Sequence, residues 1–192
     1  MKILLAGLLG AIAMFTWTSI AHMALPLGEA GIKEIPNEQS VTSALQNNVG
    51  QQSGLYLFPG PGLGENASSA EKHEAMKRLA ENYGKNASGL LMYNAPGRKM
   101  DMARWLGVEF STELLEALLV VWLLAQTRLV GFGSRLSFVT IAGILAALAT
   151  NVSYWNWYGF PAIYTASYMF IQIVGFFCIG LVAALVFRKT TF

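Results

Sequence analysis

Charge is scarce in this chain of 192 residues, of which 12% are Asp, Glu, Lys or Arg. Soluble domains carry about 25%, so an ordinary soluble globule is excluded, and a disordered chain would need far more charge still. Cysteine occurs once, as Cys178, which excludes a disulfide scaffold. His22 and His73 are the only histidines, too few for a zinc pattern, so no metal site is expected. A net charge of +2 offers no basic patch for phosphate contact, and nucleic acid is not expected as a partner. The turn-rich stretch Pro59-Gly60-Pro61-Gly62-Leu63-Gly64 lacks the Lys-Ser/Thr ending of a phosphate loop. No Gly-x-Ser-x-Gly or other catalytic signature is present. The chain is therefore not read as an enzyme of a known type, and no cofactor is implied.

What is abundant is apolar sequence, 54% of the residues, gathered into runs. A transmembrane helix needs about 20 such residues. Four stretches qualify: Ile3–Ala21, about Gly107–Thr127, Leu136–Tyr154 and Pro161–Phe187. Lys2 before the first run and Ser19-Ile20-Ala21 at its end mimic a secretory signal and its cleavage site. We read this run as an uncleaved signal-anchor helix. Residues 22–104 hold eight basic and eight acidic side chains, which leaves five basic residues elsewhere: Lys2, Arg128, Arg135, Arg188 and Lys189. These occupy the N-terminal tip, the expected 128–135 loop and the C-terminal tail, with no acid among them. Short basic segments stay cytoplasmic. Both termini are expected inside a bacterial inner membrane, with residues 22–104 outside.

That outer segment is expected to form a small α/β cap between helices 1 and 2. Asn37 is a fair N-cap, followed by Val41 and Leu45 at helical spacing up to Gly50. Ser68 or Ser69 is expected to cap a second helix over roughly Ala70–Tyr83, with Glu74 and Arg78 as an i, i+4 pair. Ser53-Gly54-Leu55 leading to Pro59-Gly60 echoes Ser88-Gly89-Leu90 leading to Pro96-Gly97, and each copy reads as a short strand ended by a turn. Asn66-Ala67-Ser68 and Asn86-Ala87-Ser88 match glycosylation acceptors, read here as chance matches in a bacterial chain.

The remaining three acids, Glu109, Glu113 and Glu116, all fall in the outer half of the second run. Their i, i+4, i+7 spacing confines them to one stripe of a helix. A charge at mid-membrane costs about 2.5–3.5 kcal/mol on the insertion scale, so such residues face the bundle or a wet cavity. Polar candidates at the same depth are His22 and Ser19 on the first run, and Thr150, Asn151 and Ser153 on the third. The fourth offers Tyr164, Tyr168 and Gln172. The deepest acid, Glu116, is expected to point inward, neutral, with a partner among Asn151, Tyr168 and Gln172. The run Tyr154-Trp155-Asn156-Trp157-Tyr158 reads as an interface anchor. Ala6/Gly10, Gly7/Ala11 and Gly180/Ala184 mark faces for close helix packing, within the chain or against another.

The expected fold class is an all-α transmembrane four-helix bundle with a small extracytoplasmic α/β cap. For lack of any catalytic, nucleotide or redox signature, the sequence favours a non-catalytic subunit that assembles with other membrane proteins or with itself. The alternatives are a homo-oligomeric, proton-coupled transporter or channel using the acidic stripe, and a membrane enzyme acting on a lipid or quinone.

Overall fold

The computed structural model describes residues 1–64, 66–82 and 84–188. Tyr83, the expected end of the second cap helix, lies outside the described residues, as do Glu65 and Lys189. The chain divides into a helical unit, Met1–Lys33 with Met100–Phe192, and a second unit, Glu34–Lys99.

The helical unit is built from α1 (Lys2–Met23), α4 (Met102–Ala125), α5 (Phe132–Tyr158) and α6 (Ala162–Val186). Three of these, α1, α5 and α6, are long and apolar enough to cross a membrane, which makes the chain a polytopic membrane protein. The expectation of four such helices is met in length only. At about 1.5 Å per residue the 24 residues of α4 are long enough, but Glu109, Glu113 and Glu116 lower its apolarity.

Contacts between the helices run in opposite directions along the chain. Gly10 meets Ile179 while Gly175 meets Met14, so α1 and α6 are antiparallel. Gly7 meets Leu118 and Phe15 stacks edge-on against Phe110, so α1 and α4 are antiparallel too. Gly143 against Phe176 and Gly180 against Leu136 do the same for α5 and α6. The small residues thus serve packing inside this chain. The helices follow in space the order α4, α1, α6, α5, with only slight contact between α4 and α5. One end is well packed: Ala6, Ala11, Ala117, Val121, Ile179 and Ala183 form its buried core. The other end, where α1 finishes and α4 begins, is called the upper end below. The outward faces carry exposed large apolar side chains, among them Leu5, Leu8, Leu119, Trp122, Ile141 and Leu145, as suits contact with lipid.

Several boundaries differ from the sequence reading. α5 begins at Phe132, so Arg135 is in a helix and not in a 128–135 loop. It is fully buried: its Nε donates to the Leu129 carbonyl at 2.8 Å and its Nη1 to the Phe187 carbonyl. Residues 22–33 pack with the helical unit and apart from Glu34–Lys99. Gly31, at φ +82°, brings its backbone against Ile163 and Tyr164, and the Gly28 carbonyl accepts from the Tyr168 hydroxyl at 3.4 Å. Apolarity alone gave no sign of this turn. The α5–α6 corner follows ordinary rules, with Gly159 at φ +70° closing α5 and Pro161 opening α6.

The second unit contains α2 (Glu38–Val49), β1 (Gly54–Phe58), α3 (Ser69–Asn82) and β2 (Gly89–Tyr93), in the helix–strand–helix–strand order that the sequence predicts. The strands pair antiparallel, with Gly54 opposite Tyr93 and Phe58 opposite Gly89. Asn37 precedes α2 in the left-handed region and makes no side-chain cap. Ser68 caps α3 through a capping box: its hydroxyl donates to Glu71 Oε2 at 2.7 Å and accepts from the Glu71 N–H. Hydrogen bonds from the Ser68 side chain and backbone hold the Glu71 carboxyl below the usual carboxylate range. Of the apolar residues of this unit, Ala75 and Tyr93 are buried. Leu55, Leu57 and Met92, which share one face of the hairpin, are exposed.

Candidate functional site

The weak α4–α5 contact leaves a cleft of about 600 Å³ in the upper half of the helical unit. From α4 it is lined by Glu109, Thr112, Glu113 and Glu116, with Trp105 and Leu106 one turn above. α1 contributes Met14, Phe15, Thr18, Ser19, His22 and Met23. Thr150 and Asn151 line it from α5, and Tyr168, Ile171 and Gln172 from α6. All seven residues proposed from sequence as an intramembrane polar group therefore border one space. Helical periodicity explains this: Thr18 and His22 are one turn apart on α1, as Tyr168 and Gln172 are on α6.

The three carboxylates differ in environment. Glu109 is exposed and Glu116 half-buried, whereas Glu113 is 2% exposed. The Thr18 hydroxyl donates to Glu113 Oε1 at 2.7 Å. Glu113 Oε2 is buried and has no hydrogen-bond partner among the described residues. Depth along the helix singled out Glu116, but rotation about its axis decides burial, and it turns Glu113 toward α1. Asn151, Tyr168 and Gln172, the expected partners of Glu116, make other hydrogen bonds. Asn151 Nδ2 donates to the Ala147 carbonyl at 3.0 Å and to Gln172 Oε1 at 3.4 Å, and Tyr168 donates to the Gly28 carbonyl.

His22 Nδ1 lies 2.8 Å from the Thr18 carbonyl. A carbonyl only accepts, so Nδ1 carries the hydrogen, and in the neutral ring Nε2 is the acceptor. The ring meets Tyr168 edge-on at 5.8 Å, and Tyr168 stacks on Tyr164 at 4.3 Å. Phe160 and Tyr154 continue this series at 5.4 and 5.5 Å. Part of the expected interface anchor is thus joined to the wall of the cleft, while Trp157 stays 78% exposed.

No known protein family, curated protein or solved structure matches this chain. The reading of the cleft rests on its own chemistry. Sequence reasoning missed Thr18, Trp105 and the apolar floor of Met14 and Ile171. Thr18 was within reach, since it precedes His22 by one turn, but a single threonine in an apolar run carries no signal until its partner is known. Among the described residues no three His, Cys, Asp or Glu side chains form a group able to hold a metal ion.

Proposed function

We propose that this chain is a membrane protein that binds a small solute in the acidic cleft and couples its movement to protons. The observation that carries the reading is Glu113. A carboxyl kept only to tie helices together would have both oxygens satisfied, because an unmet buried polar atom costs about 1–3 kcal/mol. Here one oxygen is held by Thr18 and the other is buried with no hydrogen-bond partner among the described residues. Glu109, Glu116, His22 and Tyr168 supply further polar groups along the same wall. In this reading α4 is a fourth span, with its glutamates toward the cleft and Leu115, Leu119 and Trp122 toward lipid. An even number of spans, with Lys2, Arg128, Arg135 and Arg188 at one end, puts both termini in the cytoplasm and opens the cleft to the outside. Four helices are few for a transporter, so the working unit is a homo-oligomer.

Proteoliposomes loaded with a pH-sensitive dye test this. An imposed pH gradient is expected to collapse faster with the protein than in empty vesicles, and Glu113→Gln to return the rate to the empty-vesicle level. A wild-type rate equal to that of empty vesicles overturns the reading.

A role as an assembly subunit is favoured by a different observation, the exposed apolar hairpin face of Leu55, Leu57 and Met92. Large exposed apolar patches mark interaction sites. Native mass spectrometry of the complex released in mild detergent should then show a second membrane protein, lost when Leu55 and Met92 are both changed to serine. A particle containing this chain alone sinks the subunit role.

A further inference from the structure

Whatever occupies the cleft must suit its charge, its walls and its one unmet atom. Among the described residues the lining includes three carboxylates and no lysine or arginine, so an anionic ligand would meet repulsion. A bare metal ion is a poor match, because among the described residues no three His, Cys, Asp or Glu side chains are grouped to hold one.

The walls are apolar and aromatic. Met14, Phe15, Leu106 and Ile171 provide hydrocarbon, and Trp105 and Tyr168 add aromatic rings, whose faces are electron-rich. Such faces attract organic cations, tryptophan most strongly. A cleft of about 600 Å³ falls within the range of roughly 300–1,000 Å³ that takes a drug-sized molecule.

Glu113 Oε2 decides the head group. It is a buried acceptor without a donor among the described residues, so the fitting cation carries an N–H and not only a charge. His22, also on the cleft wall, keeps Nε2 as an acceptor in its neutral ring. Resting on the solute-site reading above, we propose that the cleft binds a protonated organic amine. Its N–H completes the hydrogen bonding of Glu113, and its apolar body lies against Phe15, Trp105 and Ile171.

Three probes of one shape separate the contributions: 4-phenylbutylamine, its N,N,N-trimethylammonium analogue and 4-phenylbutanol. Each is titrated calorimetrically into the full chain in phosphatidylcholine nanodiscs, with empty nanodiscs as the partition blank. The amine is expected to bind at least about tenfold more tightly than the alcohol, as one charge-assisted hydrogen bond implies. The trimethyl analogue, charged but without N–H, should fall between them. Glu113→Gln should abolish the difference between the amine and the alcohol. Equal binding of amine and alcohol by the wild-type chain overturns the proposal without needing any variant. So does an affinity for the trimethyl analogue equal to that for the amine. If no probe binds while Glu113-dependent proton flux persists, the amine assignment fails and the cleft reading stands. If both are absent, both fail.

Discussion

Arg135→Leu is expected to destabilise the helical unit by about 3 kcal/mol or more, at about 1.5–3 kcal/mol for each hydrogen bond to a charged group. The guanidinium is fully buried and donates to two main-chain carbonyls, Leu129 and Phe187, the latter closing α6. Its carbon also lies 5.9 Å from the Phe187 ring centroid, within the range of a cation–π contact. Phe187 is the C-cap of α6, where a positive charge complements the helix dipole. Replacing both members of a buried ion pair by hydrocarbon is often harmless, but here the acceptors are backbone atoms and remain. Arg135→Lys should recover only part of the loss, because one ammonium on a flexible stem cannot reproduce the planar fork. Thermal unfolding of the purified protein in detergent measures this. A melting temperature within error of wild type for Arg135→Leu would mean that water satisfies these carbonyls instead.

Gly143→Ala is expected to cost about 1–3 kcal/mol, the usual range for overpacking. A methyl group at this position would overlap the Cβ of Phe176, with Phe176 Cγ only 2.7 Å away. Both residues are helical and their backbones are tied on either side, so the clash can be relieved only by separating α5 from α6. That movement would also disturb the contacts of Gly180 with Leu136 and Val139 on the same face. Gly107→Ala is the matched control. Nothing lies within 4 Å of its added methyl, and alanine favours a helix by up to about 1 kcal/mol over glycine. The two variants should therefore move the melting temperature in opposite directions. A stabilised Gly143→Ala would show that α5 and α6 do not approach as closely as described.

The binding and flux experiments on Glu113 report on function, and these two report on the frame that holds it. They are separable because Arg135 and Gly143 lie outside the cleft lining. A loss of amine binding with an unchanged melting temperature points to the cleft, and a loss of both to the fold.

Much of the architecture was legible in the residues themselves. Runs of apolar side chains are a one-dimensional signal, and the helices α1, α5 and α6 follow them to within a few residues. The paired strands around Pro59-Gly60 and Pro96-Gly97, and the Ser68 cap of α3, are local features decided by turn chemistry and by hydrogen bonds three residues apart. The Glu109–Glu113–Glu116 stripe was legible for the same reason, since periodicity within one helix needs no knowledge of its neighbours.

What the sequence by itself determined was depth: which residues lie at which level along each helix. Rotation was decided only by the tertiary structure. Depth made Glu116 the most deeply placed acid, but the packing of α4 on α1 through Gly7 and Leu118, and through Phe15 and Phe110, turns Glu113 to Thr18 instead. Depth likewise left Arg135 in a loop, whereas the end of α6 draws it inside as the partner of the Phe187 carbonyl. The physical reason is that a residue's level follows from a rise of about 1.5 Å per residue within its own helix. The direction in which its side chain points depends on which neighbouring helix offers a small residue to approach.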